Sequence, residues 1–302
     1  EISPLISKKN VAEYKEFLSD CEIAFATWGM THYTVEEIKQ HFPSLKILFY
    51  SAGTVQTFAS EFLECGIRVC SANYANAIPV AEYTFAQIAL ATKGFFRSAK
   101  NYKLNPLYAL KYAYSCDGNF ATKVGLVGLG VIGSLVAEKL KGLDVEVLAC
   151  DPFVSAERAA ALGVKLVSKE ELFATCDVIS NHLANKKELN NVYNFKLFHS
   201  MKKYATFINT GRGAQVNECG LALSLLLRPS TTAVLDVIKA EFFPYVSPLF
   251  YMRNAILTPH VAGSIGKETM RMAHFMMDEL QRYVAGEELK YEVKAEMLAK
   301  MA

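Results

Sequence analysis

The stretch Val124–Asp151, VGLVGLGVIGSLVAEKLKGLDVEVLACD, constrains the fold of this 302-residue chain more than any other. Val124 to Val127 is an apolar run that reads as a buried strand. Gly128-Leu129-Gly130-Val131-Ile132-Gly133 is a GxGxxG turn opening a helix, and Val145 to Cys150 is a second buried strand ending at Asp151. A bare GxGxxG is weak, because glycines recur in turns for backbone reasons alone. Here strand, turn, helix, strand and an acid 18 residues past Gly133 follow in order, which points to dinucleotide binding. Gly128 permits the tight turn, Gly130 leaves room for a pyrophosphate, and Gly133 lets the helix lie close on the strand. The helix start at Val131 and Ile132 offers N–H groups to the phosphates. Asp151 would accept hydrogen bonds from the adenosine ribose and repel a 2′-phosphate, so NAD is expected rather than NADP.

On either side, strand-like and helical segments alternate. Ile23 to Thr27, Leu45 to Tyr50 and Ile67 to Cys70 read as strands of a small parallel α/β unit, ending in a loop from Ser71 to Pro79. Val80 to Phe96 is helical and apolar on nearly every face, which predicts burial in the fold or in a subunit interface. Asn101 to Phe120 is aromatic-rich and carries no periodicity. Beyond Asp151, strands are predicted at Asp177 to Asn181, Ala205 to Asn209, Thr232 to Leu235 and Ala255 to Leu257, with helices between. Gly266 to Ala285 is a long helix whose stripe Met270, Ala273, Met277, Leu280 and Val284 predicts core packing. The expected fold class is α/β, with two Rossmann-like domains. A doubly wound parallel-sheet NAD domain, 79–266, is inserted in a smaller flavodoxin-like substrate domain, 1–78, which 267–302 rejoins.

Composition narrows the function. A formal charge of +2 gives no basic field for nucleic acid. No apolar run reaches the roughly 18 residues of a membrane span, and nothing at the start reads as a secretory signal. The seven cysteines are scattered and odd in number, which suits reduced thiols in a cytoplasmic protein. No Cys/His cluster has zinc-site spacing, so no metal is expected.

In open α/β sheets, ligands bind beyond the carboxyl ends of the strands. Arg212 follows one predicted strand, Asp236 and Glu241 the next, and His260 the last. At these positions the chain resembles the D-isomer-specific 2-hydroxyacid dehydrogenase family. Phe207-Ile208-Asn209-Thr210-Gly211-Arg212-Gly213 is similar to its "INTxRG" segment, Leu235-Asp236-Val237 with Glu241 to "LDVxxxEP", and Thr258-Pro259-His260-Val261-Ala262-Gly263 to "TPHIAG". Asn76 to Glu82 (NAIPVAE) resembles "NAxSVAE". The similarity runs from about Ile23 to the C-terminus.

The resemblance implies an NAD-dependent enzyme interconverting a 2-oxo acid and a D-2-hydroxy acid. Arg212 would hold substrate oxygens, His260 would be the acid/base, and Glu241 would hold its imidazole. Asp236 would bond the nicotinamide carboxamide, with Thr210, His182 and Gly263 lining the cofactor. Ala52-Gly53-Thr54 would bind the substrate carboxylate through backbone N–H groups, near Asn76, with Trp28 and Tyr74 as further candidates for the lining. The substrate would sit between the domains, and a homodimer would form through the cofactor domain. Phe242 and Phe243 stand where the family has proline, and Ala184 and Asn185 replace its proline and threonine, which touches loop detail and substrate fit. The family's usual first βα unit has no counterpart here, so upstream residues are expected and the first sheet should be one strand short. No basic cluster near Ala52 points to a phosphorylated substrate. The rival is an NAD-sensing binding protein, because C-terminal-binding transcriptional corepressors share this fold and its motifs.

Overall fold

β-Branched and aromatic runs form two all-parallel sheets in the computed structural model, which describes residues 5–298. Contacts divide the chain into a smaller unit, residues up to 77 with those from 264 on, and a larger unit, 78–263. In the smaller unit β1 (Ile23–Ala26), β2 (Ile47–Tyr50) and β3 (Arg68–Ser71) pair in the order β1-β2-β3. The larger unit holds β4 (Phe120–Val127), β5 (Asp144–Cys150), β6 (Lys165–Leu166), β7 (Val178–Asn181), β8 (Thr206–Asn209), β9 (Thr232–Leu235) and β10 (Ala255–Leu257). Their order is β10-β9-β8-β7-β4-β5-β6. The chain therefore winds outward from β4 one way through β5 and β6, and from β7 the other way. The crevice beyond the ends of β4 and β7 is the topological switch point.

Side chains alternate between the two faces of this sheet. Val124, Leu126, Val147, Ala149, Val178, Ile208 and Val234 pack in one apolar cluster with Ala81, Ile88, Val136 and Leu140. Val127, Leu148, Ile179, Phe207, Ala233 and Leu235 pack in another with Phe173, Phe198, Leu221 and Leu225. A sheet buried on both faces needs apolar side chains at consecutive positions, which is why these strands read as unbroken runs. In the smaller unit β2 divides likewise: Leu48 and Tyr50 face Ile38, Phe58 and Phe62, whereas Ile47 and Phe49 face Met272 and Met276.

Three sequence expectations are corrected. Ser71 to Pro79 is not a loop, because a helix spans Asn73–Ala91 with Pro79 inside it. Proline deletes one ladder N–H, and burial of Ala75, Ala77, Val80, Ala81 and Ile88 outweighs that loss. The segment after Asn101 contains a helix, Pro106–Ala113, whose Asn105 cap accepts from Tyr108 N at 3.0 Å. The stripe on the helix Glu268–Ala285 is largely the wrong face: Met270, Met277 and Val284 are exposed, while Met272, Met276 and Glu279 are buried. That helix carries two apolar stripes, and the sheet takes the one containing Phe275 and Tyr283. Expectations for residues 1–4 and 299–302 lie outside the described residues. Among the described residues no helix is long and apolar enough to cross a membrane, and no group of three or more His, Cys, Asp or Glu could hold a metal ion.

Candidate active site

The glycine turn sits at the switch point. Gly128 takes a φ of 95°, and a Cβ there would lie 2.8 Å from the His182 carbonyl oxygen. A Cβ on Gly133 would lie 2.1 Å from the Gly128 carbonyl oxygen, so helix and turn touch through backbone. Gly130 differs: nothing lies within 4 Å of its Cβ position. That open space, at the head of the helix Val131–Leu140 with no side-chain cap, fits a pyrophosphate against backbone N–H groups. Val131 is 40% exposed beside it. Asp151 reaches back into the turn, accepting from Leu129 N at 2.7 Å and Phe153 N at 2.8 Å. Its carboxylate thereby holds the turn and lies at the end of β5, where a ribose would come. His182 follows β7, and its Nε2 is buried without a hydrogen-bond partner. Burial pushes its imidazole down to about 3, so the ring is neutral near pH 7.

Beyond β8 a buried amide network shapes the next turn. Asn181 Nδ2 donates to Asn209 Oδ1 at 2.8 Å and to Gln215 Oε1 at 2.6 Å, and Tyr193 Oη donates to Asn181 Oδ1 at 2.6 Å. Asn209 accepts from Gly211 N and donates to the Arg212 carbonyl. Gln215 donates to the Leu183 and Ala184 carbonyls. The post-β7 and post-β8 loops are thus locked together around Arg212. Thr210 is buried and shares a 3.1 Å hydrogen bond with Thr84. Arg212 Nη1 donates to Gly211 O at 2.8 Å. Burial depresses the Arg212 pKa, and the charge of Glu241 opposes that shift. Gly213 packs backbone to backbone: a Cβ there would lie 2.1 Å from the Ile238 carbonyl carbon.

The segments after β9 and β10 complete the cluster. Asp236 is 1% exposed and collects donors from the final turn: Thr258 Oγ1 at 2.6 Å, Val261 N at 3.0 Å and Ala262 N at 2.8 Å. Its backbone oxygen accepts from His260 N at 2.9 Å. These bonds hold His260 at a φ of 55°, a left-handed conformation that non-glycine residues rarely take. His260 Nδ1 lies 2.9 Å from Glu241 Oε2, with both side chains partly exposed. Gly263 closes the turn at the edge of the larger unit. In the smaller unit, Ala52 is fully buried and Gly53 faces Asn76, whose Nδ2 lies 3.5 Å from a Cβ built on Gly53. Thr54 follows in the same turn. Asn76 Oδ1 accepts from Ser264 N at 3.0 Å. Trp28 is 55% exposed, and Tyr74 stacks on Tyr291. Sequence reasoning missed Asn181, Gln215 and Glu218; only Asn217-Glu218, a helix-start pair, carried any signal for the last.

Residues 87–262 match the family described as D-isomer specific 2-hydroxyacid dehydrogenase, NAD binding domain. The chain belongs to this family. Within it, the D-3-phosphoglycerate dehydrogenase of Archaeoglobus fulgidus is 32% identical over 222 residues, covering 73% of this chain and 42% of that protein. The chain thus spans less than half the length of that curated relative. Among solved structures, the D-mandelate dehydrogenase of Rhodotorula graminis superposes with a TM-score of 0.81 at 22% identity, covering 95% of this chain and 87% of that one. An NAD-complexed D-isomer specific 2-hydroxyacid dehydrogenase from Lactobacillus delbrueckii ssp. bulgaricus superposes with a TM-score of 0.77 at 19% identity, covering 96% and 90%. At these identities the structural likeness establishes the fold of this family member, two parallel α/β units with a Rossmann-like NAD domain.

Proposed function

We propose that the protein is an NAD-dependent oxidoreductase interconverting a 2-oxo acid and a D-2-hydroxy acid. The observation that carries this reading is the 2.9 Å His260–Glu241 pair, close enough to the partly buried Arg212 for the Glu241 charge to act on it. NADH supplies the hydride when bound. Gly128, Gly130, Val131, Ile132 and Gly133 hold the pyrophosphate, Asp151 the adenosine ribose, and His182, Thr210, Asp236 and Gly263 line the remaining cofactor path. His260 Nδ1–H donates to Glu241, which leaves Nε2 to carry the proton given to the substrate oxygen. Arg212 holds the oxygen edge of the substrate with its planar fork. In the smaller unit the Ala52-Gly53-Thr54 turn, with Asn76 against it, is assigned the substrate carboxylate.

The substrate remains a class. Lys46 is the single basic residue from 45 to 60, and it pairs with Glu22. That leaves no cation in the turn for a phosphate, although the curated relatives are named for phosphoglycerate. The free cysteines suit a reducing cytoplasm. Exposed Leu90, Phe95, Leu104, Leu107 and Tyr114 on the larger unit support a homodimer through that unit.

The test is NADH oxidation with glyoxylate, hydroxypyruvate, pyruvate, bulkier aliphatic and aromatic 2-oxo acids and a phosphorylated one. At least one should turn over, and His260→Gln should lower kcat by about 10²-fold or more. NAD binding without turnover of any of them would favour the corepressor-like binding protein.

A further inference from the structure

The loop between Ile238 and Pro248 is poorly packed yet carries Glu241. Phe242 is 92% exposed, and Phe243, Tyr245 and Val246 are also exposed. Such a loop, left to itself, would sample many conformations and would not keep a carboxylate 2.9 Å from an imidazole. One buried carboxylate ties down both of its ends. Glu218 is 8% exposed. Its Oε1 accepts from Lys239 N at 2.7 Å, and its Oε2 accepts from Ser247 Oγ at 2.7 Å. Ser247 is itself buried, and its Oγ accepts from Leu249 N. Glu218 is the first residue of the helix Glu218–Leu227, where Asn217 caps Gly220 N, so the positive end of the helix dipole favours its charge. Glu241 lies between the two anchors, two residues past Lys239.

We infer that Glu218 is a positioning residue: its buried carboxylate clamps the loop that presents Glu241 to His260. The inference rests on the dehydrogenase reading of the site. Glu218 bonds to Lys239 and Ser247 rather than to either member of the pair, and acts through the loop backbone.

The test uses the full chain carrying Glu218→Ala, or the milder Ser247→Ala, each with and without Glu241→Gln. Amide exchange across 239–247 should rise by about tenfold or more in either single variant. kcat should fall about tenfold while NAD affinity stays within about twofold. In the Glu241→Gln background the same changes should alter kcat by less than about twofold, because the lost interaction is already gone. Glu218→Gln, which keeps one acceptor and the side-chain volume, should restore part of kcat. Equal losses in both backgrounds, or a loosened loop with normal kcat, would overturn the inference. Should Glu218→Ala not fold, Ser247→Ala distinguishes the same outcomes. If the wild type reduces no 2-oxo acid, the dehydrogenase reading itself fails. Carbethoxylation of His260 by diethylpyrocarbonate then decides: a Glu218→Ala rate equal to that of Glu241→Gln supports the clamp, and a rate equal to wild type overturns it.

Discussion

At the scale of single residues, two glycines of one motif make opposite demands. Gly133 has the Gly128 carbonyl oxygen 2.1 Å from its Cβ position, whereas Gly130 has open space. Gly133→Ala should therefore cost about 1–3 kcal/mol of stability, as overpacking does, read as a lower denaturant midpoint. Gly130→Ala should keep the wild-type midpoint and weaken NAD binding by about tenfold, measured calorimetrically. A G130A protein with unchanged affinity would remove the pyrophosphate from that space. His182 gives a pH prediction. Its folded pKa of about 3 lies below the ordinary 6.5, so the unfolded chain binds the extra proton. This contribution to stability is present above about pH 6.5 and is lost as pH falls toward 3, at up to about 1.4 kcal/mol per pH unit. The urea midpoint of wild type should therefore fall relative to that of His182→Leu as pH falls from about 7 to about 4; parallel curves would contradict a ring held neutral. The motif residues were legible in the sequence because each follows a strand. Asn181, Gln215 and Glu218 were not, because the Asn181–Gln215 bond spans 34 residues and the Lys239–Glu218 bond 21, and only folding brings such partners together.

At the scale of elements, legibility followed burial. Strands such as Thr232–Leu235 matched their apolar runs because those runs are buried, whereas the helix Glu218–Leu227 buries Leu221 and Leu225 and leaves Leu223, Leu226 and Leu227 exposed. The first part of the helix Asn73–Ala91 was hidden by Pro79, whose local preference tertiary packing overrides, while its continuation from Val80 was legible. The helix Pro106–Ala113 was hidden by its exposed Leu107 and Leu110, although Asn105-Pro106 is a cap and first-turn pair. The helix Glu268–Ala285 shows why an apolar stripe alone does not say which face is inside. Met276 is fully buried against the small sheet and Met277 is 46% exposed. Met276→Ala should cost about 2–5 kcal/mol, and Met277→Ala should stay within about 0.5 kcal/mol of wild type. Equal effects in chemical denaturation would mean that the helix turns a different face to the sheet.

At the scale of the whole molecule, the larger unit leaves a run of apolar side chains uncovered. Leu104 and Leu107 are 85% and 80% exposed, and Tyr114 is 85% exposed. Several large apolar side chains left exposed within one short stretch of chain are expected at an association site. Sedimentation should give twice the chain mass, and Leu107→Lys with Tyr114→Lys should halve it; a monomeric wild type would rule out the homodimer. The two units also differ in how the chain builds them. The larger is one continuous segment, while the smaller is assembled from both ends, and its β2 and β3 are covered on one side by Met272 and Met276. On a ribosome, Ile47, Phe49 and Cys70 emerge roughly 200 residues before the helix that covers them, about 10–40 s at ordinary elongation rates. For that interval the small sheet, begun before the larger one, stays open on one face until the helix that covers it has been made.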